Sequence, residues 1–159
     1  MIFDSHAHYD DERFDGIRDE ILSEVHKNGV GRITNVASSL KTSFSSVDLS
    51  EKYDFVYAAS GVHPSDAVND MKNPDWLDIV EQLYKKPKTV AIGEIGLDYH
   101  WDIPREAQQR WFDMQLCLAR ELDIPVQIHD RDAHGDCLDM LQKHKGVRGI
   151  LHSFSGSAE

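Results

Sequence analysis

The 159-residue sequence lacks the features that mark membrane and secreted proteins. It has no apolar run near the ~20 residues that a membrane-spanning helix needs, and no apolar leader followed by a cleavage site. Its only two cysteines, Cys117 and Cys137, lie on separate predicted helices and form no C-x-x-C pair. Reduced thiols are therefore expected rather than a disulfide. Together these absences predict a cytoplasmic protein that does not enter membranes.

Several common catalytic motifs are absent as well. There is no G-x-S-x-G elbow and no Walker loop, and Gly93-Glu-Ile-Gly96 is too short and acidic for a dinucleotide fingerprint. Basic residues are scarce, because 17 Lys and Arg against 28 Asp and Glu give a net charge of −11. A broad basic groove along duplex nucleic acid is therefore not expected. A phosphate substrate stays open, since bound cations can supply local positive charge.

What the sequence does contain is a regular alternation of short apolar runs and amphipathic segments. The apolar runs predict six strands, over residues 1–4, 32–37, 55–60, 89–93, 125–128 and 148–151. Helical spacing predicts helices between them, over residues 14–25, up to 52, 73–83, 104–122 and 137–146. The alternation predicts an α/β fold with a parallel βα array, in a single domain over residues 1–159.

Two of the predicted helices carry specific expectations. Asn73 and Pro74 fit the N-cap and first turn of a helix. The long helix that Pro104 opens has an apolar stripe, and we expect that stripe to be its buried face. The stripe consists of Ala107, Trp111, Met114, Leu118 and Leu122. Two histidines away from the strand ends, His26 and His144, are expected on helix surfaces.

Side chains that can bind metal follow the predicted strands. His6 and His8 are two residues apart after the first strand, so both imidazoles point to the same face. Glu94, His129 and His152 come directly after the fourth, fifth and sixth strands. Each alone could be an ordinary polar residue at a strand end, but the carboxyl ends of parallel strands share one edge. Since five such residues exceed the ligand set of one zinc, the sequence predicts a two-ion site with Glu94 as the bridge.

Five motifs span the chain in order: His6-Ala-His8, Gly61-Val-His63-Pro, Gly93-Glu94-Ile-Gly-Leu-Asp-Tyr99, Gln-Ile-His129-Asp-Arg131 and Leu-His152-Ser-Phe-Ser-Gly156. They resemble the signatures of TatD-type metal-dependent deoxyribonucleases, which are amidohydrolase-like TIM barrels. The resemblance implies a DNase that uses two divalent cations (Zn, Mg or Mn). It also implies DNA as the partner, as single strands or 3′ ends.

The resemblance also implies roles for individual residues. His6 and His8 would hold the first ion, Glu94 would bridge and act in catalysis, and His129 and His152 would complete the second ion. His63, Tyr99 and Arg131 would line the substrate pocket, with Arg131 as the phosphate contact because its planar fork suits two oxygens. A surface ion pair with Asp130 or Asp132 is the alternative for Arg131. For Asp98, a turn position or a hydrogen bond to a ligand histidine is expected rather than direct ligation.

The chain is short for the fold that the resemblance implies. A (β/α)₈ barrel usually needs at least ~200 residues, so we expect an incomplete TIM barrel with about six of eight strands, lacking the last two βα units. In the family the eighth strand supplies an aspartate that binds the first ion and takes a proton from the attacking water. Metal binding is therefore expected to survive better than catalysis. The open sheet edges are expected to favour low stability or self-association.

Two other functions fit the same residues. One is an amidohydrolase that opens a small cyclic amide or lactone with the same metal site. The other is a degenerate, non-catalytic fragment that binds metal or a partner through its open edge. The residues of the five motifs favour the nuclease over both of these alternatives.

Overall fold

A computed structural model describes residues 1–70 and 72–157 as an α/β fold built on one parallel sheet. The strand order follows the chain, and each strand pairs with the next in parallel, so the sheet curls into a half-barrel. The strands are β1 (Ile2–Ala7), β2 (Val30–Val36), β3 (Val56–Ser60), β4 (Thr89–Asp98), β5 (Val126–Arg131) and β6 (Gly149–Leu151). The predicted α/β class and the incomplete barrel of six strands are confirmed.

Six α-helices connect the strands, and none in the described part of the chain is long and apolar enough to cross a membrane. They are α1 (Arg18–Lys27), α2 (Leu40–Lys52), α3 (Ala67–Asp70), α4 (Trp76–Tyr84), α5 (Arg105–Glu121) and α6 (His134–Lys143). The first helix starts later than predicted, because Phe14 ends a 3₁₀ turn, Glu12–Phe14. The predicted N-cap at Asn73 is wrong: Asp75 holds that position, and its backbone N–H donates to Asn73 Oδ1 at 3.0 Å.

Three strands run further towards their carboxyl ends than the sequence predicted. β1 includes His6, and β5 includes His129 and ends at Arg131. β4 continues through Asp98 because residues 96–98 pair with residues 129–131 of β5. Glu94 therefore lies inside β4 rather than at its end, in the stretch between Ile92 and Ile95 where the register with β5 is irregular. The expectation of a strand-end carboxylate is wrong in position, although the side chain still reaches the same edge as the histidines.

The main hydrophobic core lies between the sheet and α5. Trp111, Phe112 and Leu116 are fully buried there against Ile95 and Leu97 of β4. Burial of such large apolar side chains stabilises the fold by roughly 1.5–3 kcal/mol each.

The buried face of α5 is rotated relative to the predicted stripe. Ala107 and Met114 are only half-buried, whereas Gln108 and Gln115 are completely buried. Gln115 accepts the N–H of Val62 at 2.9 Å and donates to its carbonyl at 3.0 Å. Since a primary amide carries both a donor and an acceptor, one buried glutamine satisfies both backbone groups of the residue before His63.

Gln108 makes the same pair of contacts with Asp98. Its Oε1 accepts the Asp98 N–H at 2.7 Å, and its Nε2 donates to the Asp98 carbonyl at 2.9 Å. The two glutamines lie two helical turns apart on α5. This helix therefore fixes the ends of two neighbouring strands at the edge where the metal-capable side chains gather.

The two remaining histidine expectations have different outcomes. His26 is exposed on α1, as expected. The prediction that His144 lies on a helix surface is wrong, since the residue is only 6% exposed and its Nε2 lies 2.8 Å from Asp113 Oδ1 on α5. Both cysteines are free, as expected, and burial raises the pKa of the Cys137 thiol to about 12.

The two outer strands carry exposed apolar residues. Within the described ranges β1 pairs only with β2, and β6 pairs only with β5. Ile2 and Phe3 are each 60% exposed on β1, and Ile150 is 42% exposed on β6. These edges are where the predicted self-association would occur.

Candidate metal centre

The first part of the site joins the end of β1 to the middle of β4. His6 Nε2 lies 3.1 Å from His8 Nε2, and Glu94 Oε2 lies 3.5 Å from the first and 3.8 Å from the second. The side chains of His6 and Glu94 are almost completely buried, whereas that of His8 is 41% exposed. Three potential ligand atoms therefore face one point that solvent reaches from the His8 side.

Hydrogen bonds on the outer side of each ring fix its tautomer. His8 Nδ1 donates to the Val36 carbonyl at 2.8 Å. His6 Nδ1 donates to Gln127 Oε1 at 2.9 Å, because Gln127 uses its own Nε2 to donate to the Ser5 carbonyl. In a neutral imidazole only one nitrogen carries hydrogen. Both Nε2 atoms are therefore lone-pair acceptors.

This arrangement places acceptors against acceptors. Two imidazole lone pairs 3.1 Å apart and a carboxylate oxygen repel one another unless a positive charge lies between them. Imidazole nitrogens and carboxylate oxygens are the ligands that zinc and related divalent ions prefer. The outer N–H bonds are the usual way in which metal-binding histidines are oriented. The donor set at His6, His8 and Glu94 fits a divalent cation.

The second part of the site lies on the other oxygen of Glu94. His129 Nδ1 is 3.1 Å from Glu94 Oε1, and His129 Nε2 is 2.9 Å from Asp98 Oδ2. Asp98 is buried and hydrogen-bonded to His129, as expected for a carboxylate beside a candidate ligand histidine. A cation beside Glu94 would take the Nδ1 lone pair, while Nε2–H donates to Asp98.

The electrostatics agree with a site built around a charged Glu94. Burial alone would raise the pKa of Glu94, but hydrogen bonds from the His129 and His6 rings in their protonated forms outweigh it and lower that pKa well below its usual range. Burial would likewise lower the pKa of His129, but Glu94 and then Asp98 raise it. Glu94 is thus ionised and able to accept a cation on each of its two oxygens.

Comparison with known proteins identifies the family of this chain. The family model described as TatD related DNase matches residues 3–159. The chain belongs to the TatD family. It is 42% identical over 162 residues to a Bacillus subtilis (strain 168) protein named uncharacterized metal-dependent hydrolase YabD, covering 100% of this chain and 63% of that protein. It is 32% identical to a Citrobacter koseri protein named 3′-5′ ssDNA/RNA exonuclease TatD, covering 99% of this chain and 61% of that one.

The fold agrees with that of solved members of the TatD family. The crystal structure of the TatD homolog YjjV from Escherichia coli K12 matches with a TM-score of 0.90 and 35% identity, covering 98% of this chain and 61% of that one. A TatD family hydrolase from Entamoeba histolytica matches with a TM-score of 0.87 and 25% identity, covering 98% and 59%. This chain spans less than two thirds of the length of these relatives.

His152 lies beside His6. Its ring stacks on that of His6, with centroids 3.6 Å apart and planes 7° apart. His6, Glu94 and His152 each offer a ligand atom within 4.8 Å of the others. Burial, then the nearby His6, lowers the pKa of His152. The TatD resemblance assigned His152 to the second ion, and this assignment stays a prediction.

His63 also approaches Glu94 and His129, with possible ligand atoms within 4.8 Å of one another. Its tautomer nevertheless differs from that of His6 and His8, which carry hydrogen on Nδ1. The Ser65 backbone N–H donates to His63 Nδ1 at 3.1 Å, so Nε2 carries the hydrogen. Burial lowers the pKa of His63 to about 4, so the ring is neutral near pH 7. A neutral N–H donor suits a substrate oxygen better than a metal ion.

The other two residues assigned to the substrate pocket lie farther along β4 and β5. The Tyr99 hydroxyl donates to Asp136 at 2.7 Å and accepts from Gln109 at 2.8 Å. Arg131 is exposed, with its guanidinium 5.9 Å from the centre of the Trp101 ring. Of its alternative partners, Asp130 contacts His134 and Asp132 faces His100. Substrate contact by Tyr99 and Arg131 stays a prediction.

A groove of about 940 Å³ leads away from the centre, with His8, His63 and Glu94 at one end. Three basic side chains line it. Arg13 pairs with Asp11 at 2.9 Å and Arg18 pairs with Asp15 at 2.7 Å, whereas Lys41 has no ion pair among the described residues. Hydroxyl groups also line it, from Ser38, Thr42, Ser45 and Ser65. The groove itself has little unpaired positive charge to offer a phosphate chain.

Sequence reasoning missed Gln127, which orients His6 from the opposite side of the half-barrel. The two residues are 121 positions apart, so no local pattern links them. One signal was available: Gln127 is a polar residue two positions before His129 on an otherwise apolar strand, and it therefore shares the face of His129.

Proposed function

We propose that this chain is a metal-dependent hydrolase that cleaves phosphodiester bonds at the 3′ ends of single-stranded DNA, with two divalent cations (Zn, Mg or Mn) bound at Glu94. The observation that carries the proposal is the orientation of the imidazoles. Each of His6, His8 and His129 turns one ring nitrogen towards Glu94 and has its other nitrogen hydrogen-bonded to an acceptor, so each ring in its neutral form offers a lone pair on the Glu94 side. Such a set is built for cations rather than for mutual hydrogen bonds.

The residues of the chain have distinct parts in this reaction. His6 and His8 would hold one cation with Glu94, and His129 and His152 would complete the ligands of the other. Bound divalent cations lower the pKa of a coordinated water towards ~7 and polarise a phosphoryl oxygen. His63 would donate its Nε2–H to a phosphate oxygen, and Asp98 would keep His129 in the tautomer that ligation needs.

The charge distribution favours short, flexible ends over long duplex. With a net charge of −11, and with both arginines of the groove paired to acids, the surface has few free cations, such as Lys41, to neutralise phosphates. One phosphate held at the cations avoids that requirement. The Citrobacter koseri relative, named as a 3′-5′ ssDNA/RNA exonuclease, supports the same substrate class.

The test measures cleavage of single-stranded DNA labelled at its 5′ end, with Mn²⁺ or Mg²⁺ present. We expect stepwise shortening from the 3′ end by the wild-type chain and by Glu81→Gln, which alters only an exposed ion pair with Lys85 on α4. Glu94→Gln should abolish it. A bis-phosphodiester reporter and a panel of cyclic amides and lactones, run in parallel, separate the nuclease from an amidohydrolase.

Calorimetric titration with Zn²⁺ or Mn²⁺ separates binding from turnover. Heat of binding with no cleavage of any phosphodiester would reject the nuclease activity and leave a non-catalytic metal-binding protein. Absence of heat would reject the metal centre itself.

We also propose that the chain self-associates through β1 and β6. A light-scattering measurement that gives the mass of a monodisperse monomer would contradict this.

A further inference from the structure

A second cluster of metal-capable side chains lies on the helices. Asp113 and Cys117 are four residues apart on α5, so they share one face of that helix. His144, directly after α6, packs against them. Each of the three offers one ligand atom within 4.8 Å of the others.

One of the two ring nitrogens of His144 has no hydrogen-bond partner among the described residues. The residue is 94% buried, since only 6% of its surface is exposed. Its Nε2 faces Asp113 Oδ1 at 2.8 Å, and a carboxylate only accepts, so Nε2 carries the hydrogen of the neutral ring. His144 Nδ1 is then a buried lone pair, and it has no hydrogen-bond partner among the described residues. Because Nδ1 has no partner, the ring can move its hydrogen to Nδ1 and offer Nε2 to an ion without breaking a second hydrogen bond.

We propose that Asp113, Cys117 and His144 form a second transition-metal site, of the kind that takes Zn²⁺, on the outside of the half-barrel. Thiolate, imidazole and carboxylate are a zinc ligand set. Zinc bonds of about 2.0–2.3 Å place donor atoms about 3.3–3.8 Å apart, so shifts of ~1 Å would bring these three into range. Asp113 is 56% exposed, which leaves water access to a fourth position.

Binding at this site has a defined proton balance. The ion takes Cys117 as a thiolate, and the thiol proton goes to solvent, while the hydrogen of the His144 ring moves from Nε2 to Nδ1 so that Nε2 can bind the ion. The ion would also connect α5 to the end of α6, two elements that the Asp113–His144 contact already joins. The site is independent of the strand-borne centre, because it shares no residue with it.

The two cysteines of the chain give this proposal a specific spectroscopic test. Thiolate ligation of Co²⁺ produces a charge-transfer band in the near ultraviolet, and the centre at Glu94 has no sulfur ligand. We expect the reduced wild-type protein to show this band on titration with Co²⁺ and to lose it when Zn²⁺ is added. The band should persist in Cys137→Ser and in the double variant His6→Ala/His8→Ala. It should vanish in Cys117→Ser.

A second measurement needs no variant. Zn²⁺ should slow the reaction of Cys117 with a thiol reagent by about tenfold or more, because a coordinated thiolate is a poor nucleophile. Circular dichroism of each variant checks its fold. No band in the wild-type protein, or a band that survives in Cys117→Ser, would overturn the proposal and leave Asp113 and His144 as a simple ion pair between helices.

Discussion

The two sides of Glu94 hold their histidines by different chemistry. On the β1 side, His6 and His8 donate to neutral acceptors, a glutamine amide and a backbone carbonyl. On the β5 side, His129 donates to the buried carboxylate of Asp98. In the neutral rings both arrangements leave a lone pair on the Glu94 side, but only the second adds a negative charge behind the ring.

The difference predicts unequal sensitivity of the two halves. A carboxylate behind an imidazole makes it a stronger base and a stronger ligand, whereas a neutral acceptor mainly fixes its orientation. The β1 side has more histidines instead, since both His6 and His8 approach the same oxygen of Glu94. Variants that alter one side at a time can measure this difference.

The largest effect is expected from Glu94→Gln, because Glu94 is common to both sides. The amide keeps the volume and removes the charge, so affinity for Zn²⁺ or Mn²⁺ should fall by more than about 100-fold, beyond the loss typical of residues behind the ligands. Calorimetric titration measures the change. Near-normal heat in Glu94→Gln, with Glu81→Gln as the matched control, would contradict the shared-carboxylate centre.

The next effect is expected from Asp98→Asn on the β5 side. Loss of the charge behind His129 should weaken metal binding by about 10–100-fold. It should also lower the pKa of His129 in the metal-free protein, because Asp98 is one of the groups that raise it.

Titration of the His129 ring by NMR follows the pKa, and calorimetry follows the metal. Asp102→Asn, on the exposed loop before α5, is the matched control. An unchanged His129 pKa in Asp98→Asn would rule out the role that we assign to this carboxylate.

A smaller effect is expected from Gln127→Leu on the β1 side. The change removes a neutral acceptor from His6 and the donor to the Ser5 carbonyl, so the ring loses its orientation but no charge. Metal affinity should fall by about tenfold, the lower end of the range for such residues. Calorimetry measures it, with Gln82→Leu on the exposed face of α4 as the control. A loss of metal affinity larger than that in Asp98→Asn would contradict the expectation that the β5 side is the more sensitive one.

The smallest effect on metal binding is expected from His63→Ala. This ring presents N–H rather than a lone pair, so metal affinity should change by less than about threefold, below the loss caused by groups that orient ligands. Cleavage of single-stranded DNA should fall clearly, because the N–H donor to phosphate is lost. If calorimetry shows a large loss of metal affinity instead, His63 is a ligand and the tautomer assignment is wrong.

The sequence predicted the fold well because its signals are local. Each strand is a short apolar run and each helix has a periodic face, so the six strands and the main helices fall within a few residues of their predicted positions. The errors occurred where tertiary contacts override local pattern. Strand pairing extends β4 past Glu94, and buried amide contacts rotate the inner face of α5 towards Gln108 and Gln115.

By itself, the sequence determined the residue types of the metal centre and their placement on or next to successive strands. It also determined the family, through motifs that can be read in order along the chain. Only the tertiary structure decided which nitrogen each histidine offers. Those choices depend on Gln127, the Val36 carbonyl, Asp98 and Ser65. Hydrogen bonds act over about 3 Å, and three of these four partners lie 28 to 121 residues away along the chain, so only folding brings them together.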